Sequence, residues 1–107
     1  MIKNKKANFE YFLLDTYVAG IVLVGTEIKS VRKGKASLIG SFCSFIDNEL
    51  YLINSNIEEY KFGNNFNHES KRQRKLLLNK KELKKIKIKL TEKGLTVVPI
   101  NMFINDK

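Results

Sequence analysis

The spacing of apolar positions changes period along this chain, and each change marks an element. Over residues 9–23 aromatic and β-branched side chains dominate (Phe9, Tyr11, Phe12, Tyr17, Val18, Ile21, Val22), which predicts one long strand, kinked at Gly20. A buried helix is disfavoured there by Thr16, Val18 and Gly20. Residues 25–34 carry a hydroxyl at their start, an apolar pair three apart (Ile28, Val31) and a terminal glycine, which together predict a short capped helix. The apolar pair would face the core, leaving Lys29, Arg32 and Lys33 outward. Residues 42–46 and 50–53 are apolar runs on either side of Asp47-Asn48, a pair that tolerates left-handed backbone. A β-hairpin is expected there, with residues 57–62 extending the sheet.

After the triplet Leu76-Leu77-Leu78 comes Asn79, a good N-cap, with Glu82 placed to complete a capping box. Leu83, Ile86 and Leu90 then recur at helical spacing, while Lys80, Lys81, Lys84, Lys85 and Lys87 fall largely on the other side. That lysine face reads first as a solvated surface. Gly94 ends the helix, and residues 95–104 read as a closing strand with an edge or bulge at Pro99. Residues 1–8 are polar and basic and are expected to form a flexible arm. Many short strands with two or three short helices in 107 residues predict a single, mainly β domain. The architecture that fits is a small, partly open antiparallel barrel of the OB type, whose strands and loops commonly bind single-stranded or irregular RNA.

Charge sharpens that expectation. Twenty Lys and Arg against 11 Asp and Glu give a formal net charge of +9, which attracts polyanions and makes nucleic acid the default partner. The cations cluster at Lys3, Lys5 and Lys6, at Lys29, Arg32, Lys33 and Lys35, over residues 71–75, and over residues 80–93. Only Arg32, Arg72 and Arg74 are arginines, and these alone offer the planar fork suited to phosphates and base edges. No apolar run approaches the roughly 20 residues needed to span a bilayer, and no apolar signal core follows the N-terminal lysines. A cytoplasmic protein without membrane attachment is expected. Cys43 stands alone in an apolar alternating stretch, so it reads as a buried structural thiol, with neither an internal disulfide nor a cysteine-based zinc site.

Residues 63–79 hold the densest candidate chemistry. Lys71, Arg72, Arg74 and Lys75 can meet phosphates, Phe66 and His68 offer stacking planes, and Asn64, Asn65 and Asn67 offer paired donors and acceptors. The competing reading is a solvated basic loop. Asn79 could cap its helix and still project toward RNA, and Leu77 is either core or an apolar contact against an unstacked base. Glu27, set among Lys29, Arg32 and Lys35, reads as a structural group that orients cations. His68 with Glu69 or Glu27 would be the acid–base groups of an RNA-processing enzyme. With one histidine, no metal-ligand spacing and no nucleophile–base pair, neither catalysis nor a cofactor or metal is expected.

Several collinear segments go beyond class: Asn4-Lys5-Lys6-Ala7, Glu10-Tyr11-Phe12, Ala19-Gly20-Ile21-Val22-Leu23, Gly25-Thr26-Glu27-Ile28-Lys29-Ser30, Gly34-Lys35-Ala36, Phe66-Asn67-His68, and Arg72-Gln73-Arg74-Lys75-Leu76-Leu77-Leu78-Asn79. In order and spacing the chain resembles the bacterial SsrA-binding protein family, also called small protein B, over essentially its whole length. The resemblance implies an OB-type barrel that binds the tRNA-like domain of tmRNA (SsrA RNA) and delivers it to stalled ribosomes in trans-translation. It places Leu77 and Asn79 at tmRNA-binding positions, with Arg72, Arg74 and Lys75 in the same motif. Asn67, His68, Lys29, Arg32, Lys35, Lys5 and Lys6 complete the expected RNA-binding set. The expected partners are tmRNA and the ribosome, with the chain a monomer; the alternative is a generic ribosomal or ribosome-assembly protein.

The sequence departs from the family pattern at Asn8-Phe9 (usually Arg-His), at Val18 (usually acidic and linked to RNA binding), at Asn65 (commonly Arg) and at Ser70 (commonly Pro). The family also continues past the region of Met102-Phe103 with a further strand and a basic tail that this sequence does not carry. By resemblance that tail occupies the path of the missing messenger RNA and helps tmRNA to be accommodated in the decoding region, and the sequence leaves open whether this chain completes rescue or only binds RNA.

Overall fold

The computed structural model describes residues 1–10, 15–62 and 67–105, the side chains of residues 8–10 excepted. In chain order the elements are β1 (Ile2–Lys3), α1 (Lys5–Glu10), β2 (Gly20–Ile21), α2 (Gly25–Arg32), β3 (Ala36–Ser37), β4 (Phe42–Ile46), β5 (Glu49–Ile53), β6 (Asn56–Ile57), β7 (Arg74–Leu77), α3 (Lys80–Thr91) and β8 (Asn101–Met102). Every pairing between them is antiparallel. The central sheet has the order β2-β7-β5-β4, and β1-β8 and β3-β6 form two short ladders beside it. The result is sheet-rich with three helices, as the OB-type expectation requires, and the ladders among the described residues leave the barrel open.

Asp47 and Asn48 both take left-handed backbone (φ 49° and 66°), which matches a tight hairpin turn to the twist of β4 and β5. The expected hairpin is therefore present, with Leu50 and Leu52 alternating inward along β5. These two join Val31, Leu38, Cys43, Ile57, Ile86, Ile2 and Met102 in the core. Helix α3 also forms as its pattern predicts. Asn79 Oδ1 accepts from the Glu82 N–H at 2.8 Å, and Glu82 Oε1 accepts from the Asn79 N–H at 3.2 Å. Ile86 is its buried anchor, flanked by the half-buried Leu83 and Leu90. Past its end, Gly94 takes φ +62°.

Four expectations need correction. The long strand over residues 9–23 is replaced by α1, which takes in Phe9 and Glu10, and by the two-residue β2; residues 11–14 lie outside the described residues. The inward alternation of Tyr17, Ile21 and Leu23 persists. The ladder to β7 pairs Gly20 with Leu77 and Ile21 with Leu76, and the Val22 N–H adds one bond to Lys75 O at 3.0 Å. Second, the expected flexible arm has fixed contacts. Ile2 pairs with Met102, the Asn4 N–H donates to Ile100 O at 2.7 Å, and Asn4 Oδ1 accepts from the Ala7 N–H at 3.3 Å, capping α1.

Third, residues 57–62 do not extend the central sheet. Asn56 and Ile57 pair with β3, and the chain leaves the ladder after them. The closing strand over residues 95–104 is likewise reduced to a bridge at Val97, which accepts from the Cys43 N–H, and to β8. Pro99 between them has no N–H to donate. Fourth, α2 has no capping hydroxyl. Its N-cap is Val24, whose N–H is satisfied by Glu27 Oε1 at 2.9 Å, and the buried face is Glu27, Ser30 and Val31, with Ile28 only half-buried. Cys43 is buried as expected, and burial pushes its thiol pKa up to about 12.

Candidate nucleic-acid interface

Strand parity sorts the basic motif into two sets. Along β7 and into α3, Arg74, Leu76 and Leu78 turn toward the interior, while Lys75, Leu77 and Asn79 turn outward. Leu77 is 52% exposed, so it is a surface group and not core. Its neighbour across the ladder is Gly20, where an added Cβ would stand 3.2 Å from Leu77 Cβ. The outward positions before and after β2 are Val18, Val22 and Val24, each at least 43% exposed. An apolar strip therefore runs along this edge, beside Lys75, whose Nζ lies 3.8 Å from Glu49. The Asn79 side chain is used in its cap and remains exposed.

The inward set is organised by Glu27, which is 0% exposed. Its Oε2 accepts from Arg74 Nε at 2.6 Å, and its Oε1 accepts from Arg72 Nη2 at 2.5 Å. Arg74 is itself 0% exposed and spends its remaining donors on Ser55 O, Ser55 Oγ, Glu69 O and Ser70 O. Arg72 also donates to Val22 O at 3.2 Å, which ties it to the edge carrying the apolar strip. Burial raises the Glu27 carboxyl pKa, but the hydrogen bonds from Arg72, Val24 and Arg74 outweigh it, and the net shift is downward. Of the two arginines expected to offer free forks to phosphate, Arg74 is thus committed inside the protein, and Arg72 is held on Glu27 and Val22 O while its side chain stays partly exposed. The expectation that Glu27 orients cations holds, but the cations are Arg72 and Arg74.

His68 and Asn67 are internal brackets as well. The buried His68 ring joins Thr26 Oγ1 through Nδ1 at 2.8 Å and Ile57 O through Nε2 at 2.9 Å. A carbonyl can only accept, so Nε2 carries the proton and Nδ1 accepts from Thr26. Burial of the ring keeps its faces from the surface, and both nitrogens are spent on internal partners. Asn67 Oδ1 accepts from the Tyr60 N–H at 3.0 Å and its Nδ2 donates to Tyr60 O at 2.6 Å. Asn64, Asn65 and Phe66 lie outside the described residues.

The remaining candidates occupy other surfaces. Lys29, Arg32 and Lys35 are exposed on and after α2, and Lys5 and Lys6 are exposed on α1, beside Lys3 and Ile39. The structure therefore brings together Lys75, Leu77 and Asn79, and disperses the rest. Among the described residues no cluster of His, Cys, Asp and Glu could hold a metal, and no helix is long and apolar enough to cross a membrane.

This geometry, a short exposed β7 motif over a buried Glu–Arg junction, can be set beside known proteins. The family model described as SmpB protein matches residues 1–107. The chain belongs to the SmpB family. It is 59% identical to the SsrA-binding protein of Flavobacterium johnsoniae over 99% of this chain and 70% of that one. Against the SsrA-binding protein of Bacteroides thetaiotaomicron the identity is 58%, over 99% of this chain and 71% of the other. A chain from a solved structure described as tmRNA-SmpB on a journey to the centre of the bacterial ribosome superposes with a TM-score of 0.79 at 47% identity. That match covers 97% of this chain and 73% of the other.

In this SmpB-family chain, two groups of surface residues escaped sequence reasoning. One is the valine strip, whose signal was the strict alternation of Tyr17, Ile21 and Leu23 with Val18, Val22 and Val24. The other is Tyr60 with Phe62, read as sheet although the chain leaves the ladder at Ile57 and Phe62 is 65% exposed. The inward place of Arg74 also had a signal, since it alternates in register with Leu76 and Leu78.

Proposed function

We propose that this chain is a noncatalytic RNA-binding protein that binds the tRNA-like domain of tmRNA and promotes its delivery to stalled ribosomes in trans-translation. The observation that carries this reading is family membership along residues 1–107, together with the close superposition on the tmRNA-SmpB structure. The contact surface we assign is the outward set Lys75, Leu77 and Asn79 with the valine strip across from it. Lys75 meets phosphate, Leu77 and Val22 cover an unstacked base or ribose, and the exposed Asn79 amide contributes at the mouth of α3. Arg72 and Arg74 act through position, fixing β7 against α2 through Glu27. The lysines of α1 and α2 add long-range attraction, and the protein works in the cytoplasm as a single domain and a monomer.

The test is a binding comparison at near-physiological salt between the tRNA-like domain of tmRNA and ordinary transfer RNA. Preference for the tmRNA domain is the expected result. Equal affinity would leave a generic ribosomal or ribosome-assembly protein as the better description.

A further inference from the structure

Four lysines and two aromatic rings converge where the end of α2 meets the segment after β6. We propose that this is a stacking site for one unpaired RNA base, with Phe62 as the platform and Lys33, Lys35 and Lys61 meeting the flanking phosphates. It rests on the RNA-binding reading above and adds to it a second contact, away from the β7 edge. Tyr60 and Phe62 meet edge to face, with centroids 5.7 Å apart and planes at 72°. Lys33 Nζ stands 5.8 Å from the Tyr60 ring and 6.0 Å from that of Phe62, Lys61 Nζ is 5.9 Å from Phe62, and Lys29 Nζ is 5.3 Å from Tyr60. Lys35 lines the same groove.

An exposed phenyl ring by itself is ordinary. Here the segment leading to it is held as far as Tyr60. Ser30 Oγ donates to Glu58 O at 2.7 Å, the Glu58 N–H donates to Lys35 O at 3.0 Å, and Asn67 holds both backbone groups of Tyr60. A ring that is 65% exposed, presented on a braced segment and surrounded by cations, is suited to base stacking because it loses little freedom on binding. Glu58 and Glu59 also border the groove, but Lys33, Lys35 and Lys61 outnumber them and the local charge stays positive. Negative charge with a flat π face is what this surface complements, which favours a nucleotide over a neutral ligand.

The chain contains no tryptophan, so Phe62→Trp installs a single indole that reports this site alone. Its emission should be quenched saturably by a single-stranded oligoribonucleotide of about eight residues and not by the same sequence as a duplex. Phe62→Ala should weaken binding of that oligonucleotide about tenfold, with circular dichroism and thermal midpoint unchanged, while Phe62→Trp keeps the parent affinity. Parent-like binding by Phe62→Ala would overturn the proposal, as would weakening by Lys33→Ala and Lys35→Ala alone. Equal quenching by the duplex, or by polyglutamate in place of RNA, would overturn it too, the latter by assigning the groove to an acidic protein. Loss of preference for the tmRNA domain over transfer RNA would instead count against the proposed function, and the quenching assay reads independently of it.

Discussion

The Glu27 junction and the lysine face of α3 carry similar chemistry in opposite settings. At the junction two arginines meet one carboxylate; Glu27 and Arg74 are closed to water, Arg72 is partly exposed, and every donor of Arg74 has a partner. On α3, Lys80, Lys81, Lys84, Lys85 and Lys87 stand exposed above an apolar stripe anchored by Ile86. Among these five, Lys87 donates to Asn48 Oδ1 at 3.0 Å, and Lys85 helps to lower the Asp15 carboxyl pKa by its charge. Cationic charge in this chain is therefore of two kinds: one fixes the position of a strand, and the other is available to a polyanion. Counting Lys and Arg in sequence merges them.

The strongest test of that division is Glu27→Ala. It leaves Arg74 buried without an anion, and the expected loss of stability is about 3 to 5 kcal/mol in urea unfolding. A loss below about 1 kcal/mol would place the junction in the same class as a surface pair. Acid should act on the junction in the same direction. Because the folded Glu27 pKa lies below its ordinary value, its contribution is fully present above the unfolded carboxylate pKa and is lost as pH falls through the lower folded value. The pH dependence of the thermal midpoint should flatten in this acid range in Glu27→Gln, and an unchanged profile would show that another carboxylate is responsible.

Smaller effects belong to the outward motif. Asn79→Ala should cost about 1 kcal/mol through loss of the α3 cap, whereas Leu77→Ala, at an exposed site, should leave stability nearly unchanged and lower affinity for the tmRNA domain. Unfolding of Leu77→Ala at working temperature would return Leu77 to a structural role. Smallest of all, replacing Lys81, Lys84 and Lys85 together by Ala should move stability by no more than about 0.5 kcal/mol. If that face meets phosphate, the slope of log K against log salt falls by about 0.7 to 0.9 per contact removed. An unchanged slope would make the face solvated surface.

Much of this was legible in the residues, and the pattern of what was not is physical. Helix α3 and the β4–β5 hairpin are specified locally, by a reciprocal cap and by two residues that accept left-handed backbone, and both form as read. The extent of β2 depends on its pairing with β7, a segment more than 50 positions further along the chain. The same distance hides the site. Arg74 meets Glu27 across 47 positions, and no local feature marks which cation will find that buried carboxylate. Leu77, ambiguous in sequence, is resolved by counting inward and outward from Arg74 along the strand.

The pairing of β1 with β8 also bears on how the chain acquires its fold. The partners of Ile2, Lys3 and Asn4 are supplied by Pro99, Ile100, Asn101 and Met102. During synthesis the first strand emerges long before its complement exists, while the β4–β5 hairpin is complete as soon as its second strand is out. Loop-closure entropy points the same way, since joining distant ends costs roughly 2 to 3 kcal/mol more than closing a short turn. The β1–β8 ladder is therefore expected to be the last to form and the first to open. Amide exchange at Asn4 should report that opening while the central sheet remains protected.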